Sequence, residues 1–109
     1  MASSVDDLRG SRVLVGISCL DPGGEMLAMI QTHGVLTDLR DDVIVLTRDD
    51  GTTFGLPPDL TLLEAAAPGV YTLRGTSESI EDPDYLVGLT ITINDAASVR
   101  EIEVHGFRP

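Results

Sequence analysis

Residues 43–56 read VIVLTRDDGTTFGL and form the clearest strand–turn–strand pattern in the chain. The first five residues, Val43–Thr47, are all apolar or β-branched, which is typical of a β-strand. Asp50-Gly51 separates them from a second such run, and an Asp-Gly pair in this position is a strong signal of a β-hairpin. We therefore predict a hairpin over Val43–Leu56 that turns on Asp50-Gly51, with Gly51 required at positive φ in a type I′ turn.

Strand patterns continue on both sides of this hairpin. Residues 12–19 alternate between apolar and small or polar side chains, and Asp21-Pro22-Gly23-Gly24 supplies a turn before a long second strand over 26–38. Gly34 is expected to mark a bend or bulge in that long strand. Residues 59–66 fit either an extended segment or a two-turn helix capped by Asp59. Further strands are predicted at residues 70–74, 86–93 and 99–105.

These elements predict an all-β fold. Six or seven short antiparallel strands with turn signals between them indicate a small barrel or sandwich. At 109 residues one domain is expected, and we assign it to residues 11–109. Residues 1–10 are small and acidic and are predicted to be a flexible leader.

The long bent second strand followed by a tight hairpin resembles the small SH3-like and Sm-like barrels. The resemblance covers residues 12–93. Leu73-Arg74-Gly75 is similar to the arginine-glycine end of the second Sm motif, whereas the aspartate and asparagine of the first Sm motif have no counterpart at a matching place. The resemblance implies the fold, and the missing residues together with the acidic charge argue against the RNA binding of Sm proteins.

The charge of the chain is one-sided. Eighteen Asp and Glu residues face seven cations, all of them arginine, so the formal net charge is −11, yet 42% of the residues are apolar. This composition is typical of a folded acidic domain, which repels nucleic acid and anionic membranes and attracts basic surfaces. The absence of lysine indicates a GC-rich bacterial genome. No signal-peptide pattern or 20-residue apolar run occurs, so we predict a cytoplasmic protein.

No catalytic or cofactor motif accompanies these features. Cys19 is in phase with the buried face of its strand, and His105 is expected at a solvated edge. His33, beside Gly34, fits either a base or pH-sensitive group or a hydrogen-bonded structural histidine, and we prefer the structural role. The acidic pairs 41/42, 49/50 and 82/84 contain oxygens suited to calcium, but each lies at a predicted turn, where aspartate bonds nearby backbone amides. We therefore predict no enzyme activity, no metal and no cofactor.

The function predicted on these grounds is a binding module for a basic protein partner, in the manner of immunity proteins and antitoxins that neutralise nucleases. Its contact residues are expected to be Asp41, Asp42, Asp49 and Asp50. These two pairs flank one strand and should lie about 20 Å apart, bracketing an apolar strip. The alternative is a scaffold protein of Sm-like type that associates with itself through open sheet edges.

Overall fold

The computed structural model describes residues 8–73, 78–93 and 96–106, and the side chains of 96–98 are outside this description. Its strands are β1 (Arg12–Leu20), β2 (Met26–Leu39), β3 (Ile44–Thr47), β4 (Thr53–Leu56), β5 (Glu64–Ala65), β6 (Val70–Thr72), β7 (Ser79–Glu81) and β8 (Tyr85–Thr92). A 3-10 helix spans Leu60–Leu62 and an α-helix, α1, spans Ala96–His105.

The predicted all-β class is confirmed, since the domain is mainly strand with one short α-helix among the described residues. Six strands form one sheet in the order β4-β3-β2-β1-β8-β5, and β6 pairs with β7 in a separate two-stranded sheet. Of the predicted barrel or sandwich, the barrel is wrong, because within the described residues β4 and β5 at the two ends of the large sheet do not pair and no barrel closes. The prediction of only antiparallel strands is also wrong: β1 and β8 are parallel.

The core forms around β1, which pairs with β2 on one side and with β8 on the other. One face of β1 is fully buried because its apolar side chains alternate as the sequence predicts. Side chains from β2, β3, β4 and β8 complete this core. Its most buried members are Val13, Val15, Ile17, Cys19, Ile30, Leu36, Ile44, Leu46, Phe54 and Leu56.

The predicted hairpin is confirmed, with β3 and β4 paired from Ile44↔Leu56 to Thr47↔Thr53. Its turn is of another type than predicted. The Gly51 N–H donates to the Arg48 carbonyl at 2.9 Å, and the Arg48 N–H donates to the Thr52 carbonyl at 2.8 Å. Gly51 has a φ of +87°, but the φ of Asp50 is not positive. A type I′ turn requires a positive φ at both central residues. The loop is a type I turn followed by a glycine bulge.

Gly34 does not mark the bend in β2. A Cβ at Gly34 would lie 2.8 Å from the Thr47 carbonyl oxygen, so glycine is needed there for the close approach of β3. The register irregularity lies further along, between Leu36 and Asp38. The extra residue lets the long strand follow β3 while Leu36 remains in the core.

The segment predicted as a final strand, residues 99–105, is helical. Its apolar residues alternate in sequence, but Val99 and Ile102 are three apart and both pack against the core, as one face of a helix requires. Val104, which the strand prediction placed inside with Ile102, is exposed. Gly106 ends the helix at a φ of +72°, and its N–H donates to the Ile102 carbonyl at 2.7 Å.

Residues 59–66 and the described part of the predicted leader also have defined structure. In residues 59–66 both alternatives occur in shortened form, since Asp59 caps the 3-10 helix through the Thr61 N–H and β5 follows directly. Of the predicted leader, Leu8 is buried in the core and the Gly10 N–H donates to the Leu36 carbonyl at 2.8 Å. The remainder, residues 1–7, lies outside the described residues. None of the helices in the described part of the chain has the length and apolar character needed to cross a membrane.

Candidate functional site

Arg48 joins the β3–β4 hairpin to the end of α1. Its guanidinium donates to the carbonyl oxygens of Glu103 at 2.8 Å and Val104 at 3.0 Å, and to the Thr32 hydroxyl at 2.9 Å. It also lies over the Phe54 ring, 4.8 Å from the ring centroid. A cation that bonds the last carbonyls of a helix stabilises its C-terminus. Arg48 therefore fixes the position of the turn that follows it.

That turn carries Asp49 and Asp50, which are both exposed. The Asp50 carboxylate accepts from the Thr52 hydroxyl at 2.6 Å and from the Thr52 N–H at 2.9 Å. Both bonds lower the pKa of Asp50 below its ordinary value, and the bond from the hydroxyl has the larger effect. Asp50 thus closes the turn, as the sequence predicts for turn aspartates, and Asp49 is left at the entrance to a groove.

His33 lies at the floor of this groove and is only 7% exposed. Its Nε2 is 3.0 Å from Oε2 of Glu78, whose side chain is 51% exposed. Its Nδ1 is buried without a hydrogen-bond partner among the described residues. A buried structural histidine normally has both ring nitrogens bonded, so the surroundings of His33 differ from those of a residue that serves packing alone.

The groove has a volume of about 360 Å³ and an acidic rim. Four carboxylates from three separate parts of the chain stand around it: Asp49, Asp50, Glu78 and Glu103. Gln31, Thr32, His33 and Leu73 line the remainder, with Arg48 along one wall. The groove forms where β3 turns away from β2, since β3 pairs with β2 only from Val35 onward and leaves residues 31–33 uncovered on that side.

The other predicted pair, Asp41 and Asp42, lies at the opposite end of β3. Both residues are exposed in a turn closed by the Arg40 N–H, which donates to the Val43 carbonyl at 2.9 Å. Asp41 borders a smaller depression of about 290 Å³ with Pro58 and Leu60. The neighbouring Arg40 donates to Asp38 at 2.8 Å, and this hydrogen bond lowers the pKa of Asp38.

The structure therefore divides the four predicted contact residues between two places. Asp49 and Asp50 lie on the acidic groove, and Asp41 and Asp42 do not. The apolar strip predicted between the pairs is not exposed, because Ile44 and Leu46 are buried in the core. The exposed apolar side chains are elsewhere, on β2, the 3-10 helix, β6 and α1: Met26, Leu27, Met29, Leu60, Val70 and Val104.

The other residues considered for catalysis or metal binding lie in different surroundings. Cys19 is buried, as predicted from its phase in β1, and this burial raises the pKa of its thiol. His105 is exposed in the last turn of α1, where a strand edge had been predicted. Asp82 and Asp84 accept from backbone N–H groups of distant residues, Gly69 at 2.7 Å and Arg12 at 2.8 Å, so they connect separate segments of the chain and do not make the nearby turn bonds predicted for them.

Arg48, Glu78 and Glu103 are the charged groove residues that the sequence analysis missed. His33 and Glu78 are 45 residues apart, and no spacing in the sequence relates them. Glu103 was assigned to a strand, so its place beside the hairpin could not be foreseen. A signal did exist at Arg48, because an arginine directly before a turn can reach the end of a neighbouring helix, but the helix itself had not been predicted.

Comparison with known proteins finds no family model, no curated protein and no solved structure that matches this chain.

Proposed function

We propose that this domain is a non-enzymatic acidic binding module that engages a basic protein partner through the groove beside the β3–β4 turn. The observation that carries the proposal is the rim of four carboxylates, Asp49, Asp50, Glu78 and Glu103, around a groove of about 360 Å³. Acidic residues outnumber the single cation Arg48 among the described residues that line this groove, and a groove with such an excess of one sign of charge attracts the opposite charge. The groove therefore suits a lysine or arginine side chain presented by the partner.

The charge of the whole domain supports the same proposal. With a net charge of −11, long-range attraction accelerates the encounter with a basic surface, while the groove supplies the local contact. An arginine or lysine that enters the groove meets acidic residues that the hairpin, α1 and the residue before β7 bring to one place. Neutralisation of a basic toxin, the function predicted for an immunity protein or antitoxin, is one biological use of such a surface.

The experiment begins with capture of partners from a lysate of the source cells at low salt, followed by mass spectrometry. The association rate of a captured partner is then measured against salt concentration. We expect a basic partner whose association rate falls steeply between about 50 mM and 300 mM salt, where the screening length shortens from about 14 Å to about 6 Å. A dissociation rate set by local contacts should change less.

Two double variants separate the groove from the overall charge. Asp49→Asn with Asp50→Asn, and Asp41→Asn with Asp42→Asn, remove the same charge, and an asparagine at position 50 can still accept the hydrogen bonds from Thr52. Both should slow association similarly, but only the groove variant should also raise the dissociation rate. Equal dissociation rates for the two variants would refute the groove as the contact surface. A captured partner that is not basic would refute the proposal as a whole.

Self-association as a scaffold is the second candidate, and it has its own observation. Met26, Leu27 and Met29 are 55%, 46% and 48% exposed, and they lie within four consecutive residues of β2. Light scattering across a concentration series tests this candidate directly. A constant monomer mass at the highest concentration would exclude it, whereas a closed ring of defined mass would replace the partner-binding proposal.

A further inference from the structure

His33, Asp49 and Glu78 bring three metal-binding side chains together at the floor of the groove. One potential ligand atom from each lies within 4.8 Å of the other two. A tetrahedral ion with ligand bonds of about 2.1 Å holds its ligand atoms about 3.4 Å apart, so the present spacing needs a movement of about 1 Å. Both carboxylates belong to exposed residues.

His33 is the independent observation that points to a ligand. It is nine-tenths buried, its Nε2 is directed at the two carboxylates, and its Nδ1 has no hydrogen-bond partner among the described residues. Burial fixes the direction of the imidazole, so Nε2 is held toward the carboxylates. A metal ion bound to Nε2 would take the place of the proton that Nε2 and Oε2 of Glu78 share at 3.0 Å.

The charges around the cluster also favour a divalent cation. Asp49 and Glu78 contribute two negative charges, and a neutral imidazole contributes none, so a divalent ion balances the three ligands. Arg48 is the cation among the described residues that line the groove, and its guanidinium is directed to Thr32 and to the carbonyls of Glu103 and Val104. The helix C-terminus thus offsets the charge of Arg48.

We propose that His33, Asp49 and Glu78 form a binding site for a divalent transition-metal cation, of which Zn²⁺ is the representative. One imidazole with two carboxylates is a ligand set that Zn²⁺ accepts, and the open side of the groove leaves room for water as a further ligand. The imidazole disfavours Mg²⁺ and Ca²⁺, which prefer oxygen ligands alone. This proposal does not depend on the domain binding a basic partner.

The test is a calorimetric titration of the whole chain with Zn²⁺ at neutral pH, repeated with Mg²⁺. We expect one Zn²⁺ per chain, bound at least about tenfold more tightly than Mg²⁺. Glu78→Gln and Asp49→Asn should each weaken Zn²⁺ binding by about tenfold or more. Both substitutions are at exposed positions, so the variants are expected to fold, and their melting curves without metal check this.

The control is the Asp41→Asn, Asp42→Asn double variant, which removes more charge but leaves the cluster intact. It should change the affinity for Zn²⁺ less than about twofold, because exposed charges this far apart are largely screened. An equal loss of affinity in the control and in the cluster variants would overturn the proposal, since it would show diffuse attraction by the acidic surface.

Nuclear magnetic resonance supplies a second readout within the same molecule. The chain has two histidines, His33 and His105, and their ring ¹⁵N resonances can be followed separately. Adding Zn²⁺ should shift the Nε2 resonance of His33 and leave the ring of exposed His105 nearly unchanged. Zn²⁺ binding without a change at His33, or no saturable binding at all, would overturn the proposal.

Discussion

The two ends of β3 carry the same tripeptide, Arg-Asp-Asp, at residues 40–42 and 48–50, yet they are built differently. At the first end Arg40 bonds the neighbouring Asp38 at the surface, and both aspartates face solvent. At the second end Arg48 reaches the carbonyls that end α1, and Asp49 lies beside buried His33. An acidic pair therefore becomes a candidate site through what packs beside it, not through its own sequence.

The largest expected difference between the two ends is in their arginines. Arg48→Ala removes hydrogen bonds to Thr32, Glu103 and Val104 and the contact with Phe54. Hydrogen bonds to a charged group are worth about 1.5–3 kcal/mol, so we expect the free energy of unfolding to fall by about 2–3 kcal/mol. Urea denaturation followed by circular dichroism measures this change.

Arg40→Ala is the matched control for this substitution. It removes only an exposed ion pair with Asp38 and should change the free energy of unfolding by less than about 0.5 kcal/mol. If the two variants proved equally stable, the connection between the hairpin and α1 would contribute nothing, and the contrast between the two turns would fail.

A smaller difference is expected at the residue after each tripeptide, which is Val43 at one end and Gly51 at the other. Gly51 has a φ of +87°, where a β-branched side chain is strained. Gly51→Val gives both turns the same four residues and should destabilise the domain by about 1–2 kcal/mol. Thermal melting should then show a decrease of several degrees.

Gly51→Asn serves as the graded control, because asparagine tolerates positive φ better than other residues with a side chain. It should recover at least half of the loss in melting temperature. A Gly51→Val variant that melts with the wild-type protein would show that the turn does not need the left-handed conformation. Equal losses in the two variants would trace the cost to the missing glycine rather than to the β-branched side chain.

The sequence predicted those strands and turns that depend on local patterns of residues. The alternation in β1 and the Asp-Gly pair at the end of β3 identified strands and a turn correctly, because side-chain periodicity and positive φ depend on neighbouring residues. The parallel pairing of β1 with β8 could not be foreseen, since an alternating strand has the same pattern whether its neighbour is parallel or antiparallel.

The last segment shows why a short pattern can mislead. Ile102 and Val104 alternate with two glutamates, which fits a strand, while Val99 and Ile102 fit a helix equally well. Packing of α1 against the sheet decides between them, and that packing is a tertiary property. The same error hid one side of the groove, because Glu103 and the helix carbonyls that bind Arg48 belong to this segment.

The smallest expected effect is the response of the second turn to acid. Hydrogen bonds from Thr52 lower the pKa of Asp50 in the folded state, so its ionised form is stabilised by folding. The contribution is fully present above the ordinary aspartate pKa of about 3.9 and is lost as pH falls through the lower folded value. Asp50→Asn removes this titration.

The wild-type protein should therefore lose its stability advantage over Asp50→Asn between about pH 4 and pH 2, while the difference stays constant above about pH 5. Urea unfolding at a series of pH values measures the difference, with Asp42→Asn as the control, since no described residue donates a hydrogen bond to the Asp42 carboxylate. Parallel curves for the wild-type protein and Asp50→Asn down to pH 2 would show that folding does not stabilise the ionised carboxylate of Asp50. The two turns would then respond to acid in the same way.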